Sequence, residues 1–194
     1  SLLTETTQTL DTKIISKRIE LFINLIKRNQ NFKGVWLTED SPEKIIAKTE
    51  ELGLINSQLI GGEKVFRPTI NEAALLSFYQ NNISHFFLLY SLVCLSLKYV
   101  KELSEKEVLR LTNLVYPFLK SDFYLPWSNE QVNKVVLNNL KVLIELGLIV
   151  KNDKNLLTKP EKDSKEYRDF SALCNISEPS IKRFYIVMST LWKE

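Results

Sequence analysis

The sequence contains few of the residues that carry reactive chemistry in enzymes. It has one histidine, His85, and two cysteines, Cys94 and Cys174, with no Cys-x-x-Cys pair. Neither a zinc site nor a disulfide framework is therefore indicated. No local Ser/His/Asp set can be assembled, no acidic cluster has the spacing of a calcium loop, and no glycine-rich phosphate loop is present. We expect no catalytic residue, no cofactor and no metal site in this chain.

An excess of one charge is also lacking. The 194 residues hold 26 basic and 23 acidic side chains, which gives a net charge of +3. Nucleic-acid-binding proteins concentrate basic residues on one face, so this balance does not favour nucleic acid. The chain has five glycines, six prolines and 44% hydrophobic residues, as expected of one large folded domain or two small ones. Isolated cysteines fit a reducing compartment, and a start at Ser1 without a signal peptide suggests an excised fragment.

Local signals predict two helices and a hairpin in the N-terminal part. Residues 11–30 carry apolar side chains at three- and four-residue spacing, which is typical of an amphipathic helix. Ser41, followed by a proline, has the properties of an N-cap, and the helix that it opens should end at Gly53. Two short apolar segments on either side of a Gly-Gly pair predict a β-hairpin within residues 54–67.

Residues 73–97 have no formally charged side chain. From Phe86 onward they are apolar on nearly every side of a helix, which is typical of a fully buried helix or of one inserted in a membrane. Polar residues interrupt the first half, so the strictly apolar run is shorter than the roughly 18 to 20 residues that a bilayer span needs. We expect a central buried helix, and membrane insertion is the alternative.

A capping box opens the next predicted helix, because Ser104 is followed three residues later by Glu107. Pro117 interrupts the helical pattern. Since proline lacks an N–H and clashes with the preceding turn, we expect a kink there or a new short segment that reaches Tyr124.

A second capping box, Ser128 with Gln131, opens a helix that should end at Gly147. A second hairpin is predicted within residues 148–158, and a terminal amphipathic helix within residues 180–193. The helix before this hairpin carries no net charge, so DNA binding through it is not favoured.

The sequence Glu-Leu-Gly-Leu-Ile occurs twice, at residues 51–55 and 145–149. Each copy lies in the order helix, glycine, strand, turn, strand, which is that of a winged-helix unit. We therefore predict a mainly α fold with small β-hairpins (α+β), in which two winged-helix-like modules surround the central apolar helix. The predicted segments are an N-terminal module at 1–70, the central helix with an aromatic corner at 71–127, and a second module with the terminal helix at 128–194. A single compact domain and a chance repeat of a common junction are the alternatives.

The single histidine has two interpretations. Asn81 and Asn82 precede His85 by about one helical turn, so an amide could orient the imidazole as a general base. We favour a buried histidine that is hydrogen-bonded to core amides, because no acidic residue lies within a turn of it.

Residues 116–127 are unusually rich in aromatic rings. Such a segment can anchor a second domain or contact an interface. It can equally form a packed corner between two modules, and the sequence does not distinguish these interpretations.

Five segments carry a family resemblance. Residues 76–86, with the sequence L-S-F-Y-Q-N-N-I-S-H-F, and residues 114–127 resemble motifs in the region that follows the catalytic domain of membrane-bound bacterial glycerol-3-phosphate acyltransferases. Residues 91–93, 146–149 and 181–186 are similar to three further segments of that family, and all five keep the family's order. The resemblance therefore implies the C-terminal helical region of such an enzyme.

The chain also departs from the family. Gln80 and Pro126 stand where the family has arginine, and Asp122 stands where it has glutamate. The family's catalytic histidine is followed five residues later by an aspartate, whereas the residue five positions after His85 is Tyr90. The catalytic motif is therefore absent, and the chain alone is expected to be inactive.

The resemblance implies that the parent transfers a fatty acyl group from acyl-CoA or acyl carrier protein to glycerol 3-phosphate in phospholipid biosynthesis. It places the parent at the cytoplasmic face of the bacterial inner membrane and makes this region an accessory, soluble one. The expected partners are the catalytic domain of the same polypeptide and, indirectly, the membrane surface. The candidates for structural or interface roles are Tyr79, Asn81, Asn82, His85, Tyr116, Lys120 and Trp127. The alternative function is a winged-helix regulator that binds DNA or protein.

Overall fold

The computed structural model describes residues 10–32 and 34–191, and these form two compact units. Unit 1 comprises Ser1–Ile83 and unit 2 comprises Ser84–Glu194. Helices and short antiparallel strand pairs make up both units, which confirms the predicted mainly α fold with small hairpins. The division of the chain into three segments stays a prediction, and the beginning of its first segment and the end of its last lie outside the described residues.

The elements of unit 1 are β1 (Leu10–Asp11), α1 (Thr12–Arg28), α2 (Pro42–Glu51), β2 (Ser57–Ile60), β3 (Glu63–Phe66) and α3 (Ile70–Ile83). The predicted N-cap Ser41 is present, and Asp11, which was not predicted as a cap, caps α1. The side chain of Asp11 accepts a hydrogen bond of 2.7 Å from the backbone N–H of Ile14. The hydroxyl of Ser41 accepts one of 3.4 Å from the N–H of Lys44, so local side chains define where both helices begin.

A three-stranded antiparallel sheet closes unit 1. Its strand order is β1-β3-β2, and Leu10 pairs with Phe66. The pairing brings β1 back to the hairpin, so that one small core forms between the sheet and the helices. The core residues are Leu10, Ile15, Ile46, Ile55 and Phe66.

The prediction of one central helix over residues 73–97 is wrong. The chain is helical to Ile83, makes a 3₁₀ turn over Ser84–Phe86, and resumes as α4 at Leu88. In the turn, the N–H of Phe87 donates to the carbonyl oxygen of Ser84. Asn81, Asn82 and Ser84 lie at the break, and residues of these types have low helix propensity. An absence of charge does not reveal such a break.

Unit 2 contains α4 (Leu88–Lys98), α5 (Glu105–Phe123), α6 (Asn129–Glu145), β4 (Val150–Lys151), β5 (Leu157–Thr158) and α7 (Lys165–Leu191). Helix α4 packs against α5, α6 and α7, and its side chains from Leu88 to Cys94 are buried. This confirms a buried helix in the second half of the charge-free segment. No helix in the described part of the chain is long and apolar enough to cross a membrane.

Two prolines lie inside helices of unit 2. Helix α5 continues through Pro117, and α7 continues through Pro179, although each proline removes a helical hydrogen bond. Both prolines are exposed, which places the break in the hydrogen-bond ladder near solvent. Of the two outcomes predicted for Pro117, the start of a new segment is therefore wrong, and the kink stays a prediction.

The terminal helix is longer than predicted. It begins at Lys165, after Ser164 accepts a hydrogen bond of 3.0 Å from the N–H of Tyr167, rather than at residue 180. Its first half carries charged residues among the apolar ones, which hides the helical spacing. The predicted helix end at residues 192 and 193 lies outside the described part of the chain.

Both units repeat one topology. In unit 2, Leu103 precedes α5 and forms an antiparallel bridge with Leu157 of β5, just as β1 pairs with β3 in unit 1. In each unit an extended residue, two helices and a hairpin follow in the same order. The glycines that end the second helix, Gly53 and Gly147, have φ of 68° and 70°. These left-handed conformations explain why glycine occupies both copies of the repeated sequence, and the topology agrees with two winged-helix-like modules.

Candidate functional site

Three of the predicted candidates lie on α3 in unit 1. Tyr79 is 48% exposed, and its ring meets that of Phe78 edge-on with 5.8 Å between the centroids. Asn81 and Asn82 are exposed. The interpretation of these two asparagines as core amides is therefore wrong, and their side chains are available to other molecules.

His85 lies in the 3₁₀ turn at the start of unit 2. The imidazole is half-buried and packs on the ring of Phe86, with 4.0 Å between the ring centroids and an angle of 39° between the planes. Apolar contact with an aromatic neighbour is a packing role. Neither a catalytic nor an interface role of His85 is tested by this geometry, and its interface role stays a prediction.

The aromatic segment forms a packed corner between α5 and α6. Tyr116 and Trp127 are 1% and 7% exposed, and the Tyr116 hydroxyl donates a hydrogen bond of 2.7 Å to the backbone carbonyl oxygen of Trp127. Leu125 is also buried. In contrast, Phe118 and Tyr124 of the same segment are 45% and 90% exposed. The segment therefore provides both core residues and an exposed surface.

The backbone carbonyl group of Lys120 caps the C-terminal end of α5 at this corner. Its carbonyl oxygen accepts hydrogen bonds from the N–H groups of Tyr124 and Leu125. Tyr124 has φ of 50°, a left-handed conformation that non-glycine residues seldom adopt, and it reverses the chain after the helix. The Lys120 side chain is half-buried.

A buried carboxylate between α4 and α7 was not predicted from the sequence. Glu178 is 8% exposed and accepts hydrogen bonds from Lys98 Nζ at 2.5 Å, from the Tyr99 hydroxyl, and from Lys182 Nζ at 2.9 Å. We call these four residues the Glu178 cluster. Burial alone raises the pKa of Glu178, but the three donors outweigh it and lower the pKa to about 2. The carboxylate is therefore ionised at neutral pH.

The donors are affected in the opposite direction. Burial lowers the pKa of Lys98, but its hydrogen bond to Glu178 and the charge of that carboxylate raise it above the usual value overall. The hydrogen bond to Glu178 raises the pKa of Tyr99, which keeps this hydroxyl protonated as a donor. Only the spacing of Glu178 and Lys182, four residues apart on α7, signals a contact in the sequence. Lys98 and Tyr99 lie far away in the chain.

Hydroxyl groups extend the polar contacts between α4 and α7. The side-chain oxygens of Ser91 and Ser177 lie 2.6 Å apart, and the N–H of Ser177 donates to the Ser91 oxygen at 3.0 Å. Both residues are fully buried. Because each hydroxyl has a partner in the facing helix, the contact fixes the register of α4 on α7.

The two cysteines lie on the helices α4 and α7, which pack against each other. Cys94 and Cys174 are free and buried. Burial raises the pKa of Cys174 to about 12 and raises that of Cys94 well above the usual range. The thiolate is the reactive form of cysteine, so neither residue is suited to act as a nucleophile at neutral pH.

Apolar side chains on α5 and α7 form an exposed surface in unit 2. They are between 45% (Phe118) and 74% (Tyr185) exposed, and the rings of Phe118 and Phe184 join the two helices with 5.6 Å between their centroids. We define the α5–α7 apolar surface by the exposed residues Leu114, Phe118, Tyr185, Met188 and Leu191.

These features favour binding and packing over bond-making chemistry. Among residues 10–32 and 34–191, no group of three or more His, Cys, Asp or Glu side chains could hold a metal ion. The strongest electrostatic feature, the Glu178 cluster, is satisfied within the protein. Unit 2 exposes an apolar surface to other molecules. Unit 1 exposes the side-chain amides of Asn81 and Asn82 on α3.

Comparison with known proteins connects this fold to one family. The family model described as the glycerol-3-phosphate acyltransferase C-terminal region matches residues 1–194. A glycerol-3-phosphate acyltransferase of Pseudomonas fluorescens (strain SBW25) is 25% identical over 191 residues, which cover 98% of this chain and 23% of the relative. An enzyme of the same name from Pseudomonas aeruginosa (strain UCBPP-PA14) is 22% identical, with the same coverage.

The chain thus spans about 23% of the length of these curated relatives. A third relative, the glycerol-3-phosphate acyltransferase of Pseudomonas savastanoi pv. phaseolicola (strain 1448A / Race 6), is 25% identical over 182 residues and is covered to 22%. No solved structure matches the chain. The alternative prediction, a winged-helix regulator, receives no support from these comparisons.

Proposed function

This chain belongs to the family of glycerol-3-phosphate acyltransferase C-terminal regions, and from that premise we propose that it is an accessory region of such an enzyme. The complete enzyme transfers a fatty acyl group from acyl-CoA or acyl carrier protein to glycerol 3-phosphate. The observation that carries this proposal is the family match over residues 1–194, combined with relatives of which the chain covers 23%.

An accessory rather than a catalytic role follows from the residues themselves. His85 is half-buried against Phe86, and no aspartate follows it at the distance that the family's catalytic motif requires. Burial keeps both thiols protonated. Acyl transfer needs a base to activate the attacking hydroxyl, and we place that base in the part of the polypeptide that this chain does not include.

We place the catalytic domain of the same polypeptide as the direct partner of this region. The membrane surface is then an indirect partner, through a parent at the cytoplasmic face of the bacterial inner membrane. The exposed Tyr79, Asn81 and Asn82 are suited to an interface, whereas Tyr116 and Trp127 hold the corner between α5 and α6. His85 and Lys120 of unit 2 are half-buried, and we keep them as candidates for structural or interface roles.

Acyl transfer by purified proteins tests the proposal. The full-length enzyme that contains this chain should transfer acyl groups to glycerol 3-phosphate, and the isolated chain should show no transfer. Full-length enzyme with His85→Asn should keep the chemical step, because no aspartate stands five residues after this histidine. Glycerol-3-phosphate-dependent turnover by the isolated chain, or loss of the chemical step in the His85→Asn enzyme, would contradict the accessory role.

A further inference from the structure

The α5–α7 apolar surface exposes several bulky apolar side chains to water. Met188 is 47% exposed, Leu191 62% and Leu114 65%, although all three are fully apolar. The rings of Phe118 and Phe184, with 5.6 Å between their centroids, are where the α5 and α7 parts of this surface meet. Soluble proteins rarely leave such a patch uncovered, and larger ones mark interaction sites.

The last part of α7 carries little charge. Between Pro179 and Leu191 the helix has two charged residues, Lys182 and Arg183, and no carboxylate. Both are exposed, and Arg183 donates to the Ser180 hydroxyl at 3.1 Å. Interfaces typically combine an apolar centre, rich in aromatic residues and methionine, with a polar rim. Lys182 already pairs with Glu178 at 2.9 Å, and Arg183 lies on the side of α7 opposite Met188, so the partner that this surface fits has an apolar patch.

We propose that the α5–α7 apolar surface is the face that docks on the catalytic part of the same polypeptide. This inference rests on the proposed function and names the partner of that surface. The relatives extend far beyond the matched region, which is 23% of their length. A partner in the same polypeptide is present at high effective concentration, so a surface of a few apolar residues suffices to hold it.

A protein partner fits this surface better than a bilayer. Interfacial membrane helices carry many Lys or Arg residues along the polar face. On α7, the side opposite Met188 carries Arg183 and Thr190, and it also has Ile186, which is 61% exposed. Two basic residues supply little attraction to anionic lipid, and a second helix, α5, contributes part of the surface.

The helix provides a matched control for an experiment. Met188 and Ile186 are two residues apart, which places them about 200° apart around α7, and both are exposed. A photoreactive amino acid at position 188 of the full-length enzyme, reconstituted in vesicles of phosphatidylethanolamine and phosphatidylglycerol, should cross-link to a peptide of the catalytic part. The same group at position 186 should give little of this product.

Charge substitutions provide a second readout. Met188→Glu should lower the glycerol-3-phosphate acyltransferase activity of the full-length enzyme by about tenfold, the effect of losing one strong interface contact. Ile186→Glu should leave it within about twofold, and the isolated chains with either substitution should keep wild-type circular dichroism.

The outcomes separate the two proposals. Cross-links from position 188 to lipid, to a second copy of the chain, or at no more than the level of position 186 would overturn the docking inference while the activity of the full-length enzyme remains. Absence of glycerol-3-phosphate acyl transfer by the wild-type full-length protein would instead overturn the proposed function.

Discussion

The hydroxyl of Tyr116 donates a hydrogen bond of 2.7 Å to the backbone carbonyl oxygen of Trp127. This contact joins the body of α5 to the residue before Ser128, the N-cap of α6. Burial raises the pKa of Tyr116, so the hydroxyl stays protonated and remains a donor at any pH near neutrality. The bond therefore holds the chain reversal at Tyr124 in place from inside the core.

Removal of this hydroxyl should destabilise the chain. Tyr116→Phe keeps the ring but takes a donor from a buried carbonyl oxygen, and we expect the free energy of unfolding to fall by about 1 to 2 kcal/mol. Urea denaturation followed by circular dichroism measures it. Tyr124→Phe is the control, because that side chain is 90% exposed, and it should change stability by less than about 0.5 kcal/mol. Equal losses in both variants would contradict the role of the bond.

Glu178→Gln tests the charge cluster between α4 and α7. The amide is nearly the same size but has no charge, so Lys98 loses its ionic partner in a largely buried place. We expect the free energy of unfolding to fall by about 2 kcal/mol, as for hydrogen bonds to charged groups. Glu161→Gln removes a carboxylate from an exposed position and should have almost no effect. A Glu178→Gln protein as stable as the Glu161→Gln protein would show that the cluster adds no stability.

The stability difference between wild type and Glu178→Gln should depend on pH. The folded protein lowers the pKa of Glu178 from its usual 4.5 to about 2. The unfolded chain therefore takes up the proton first as pH falls, and the contribution of Glu178 is complete above 4.5 and lost between 4.5 and about 2. Denaturation curves at several pH values should show the difference shrinking in this window. A difference that stays constant down to the lower limit would contradict the lowered pKa.

Local sequence signals predicted where α2, α5 and α6 begin. Each capping box is formed by residues three apart, and in the structure the Ser104 and Glu107 side chains satisfy each other's backbone N–H groups. The same holds for Ser128 and Gln131. Such signals need no knowledge of the rest of the fold, because both partners lie within one turn.

Features that depend on distant residues were not predictable in this way. The Glu178 cluster joins α7 to Lys98 at the end of α4, and no spacing in the sequence connects them. The exposure of the Asn82 side chain depends on where the helix predicted over residues 73–97 breaks. The break at Ser84–Phe86 carries no glycine or proline that would mark it in the sequence. The α5–α7 apolar surface likewise combines residues of two helices that are far apart in the sequence.

The repeated helix ends should respond alike to substitution. Gly53 and Gly147 have left-handed φ angles, and an added Cβ would meet no atom within 4 Å at Gly53 and only Glu166 Cγ at 3.5 Å at Gly147. Backbone strain alone sets the effect, so alanine at either position should lower the free energy of unfolding by about 1 to 2 kcal/mol. Asparagine tolerates this conformation better and should lower it less in thermal or urea denaturation. Alanine variants as stable as the asparagine variants would contradict the conformational cause.

The buried thiols should be protected from reagents in solution. Burial raises the pKa of Cys174 to about 12 and raises the pKa of Cys94 well above its usual range, so very little thiolate forms at pH 8. A disulfide reagent such as 5,5′-dithiobis(2-nitrobenzoate) should therefore react with both thiols on the order of 100-fold more slowly in the native chain than in denaturant. Ser121→Cys adds a thiol at an exposed position and should react at once. Rapid reaction of two thiols in the native wild-type chain would show that α4 and α7 separate readily, contrary to the buried contacts of Ser91 and Ser177.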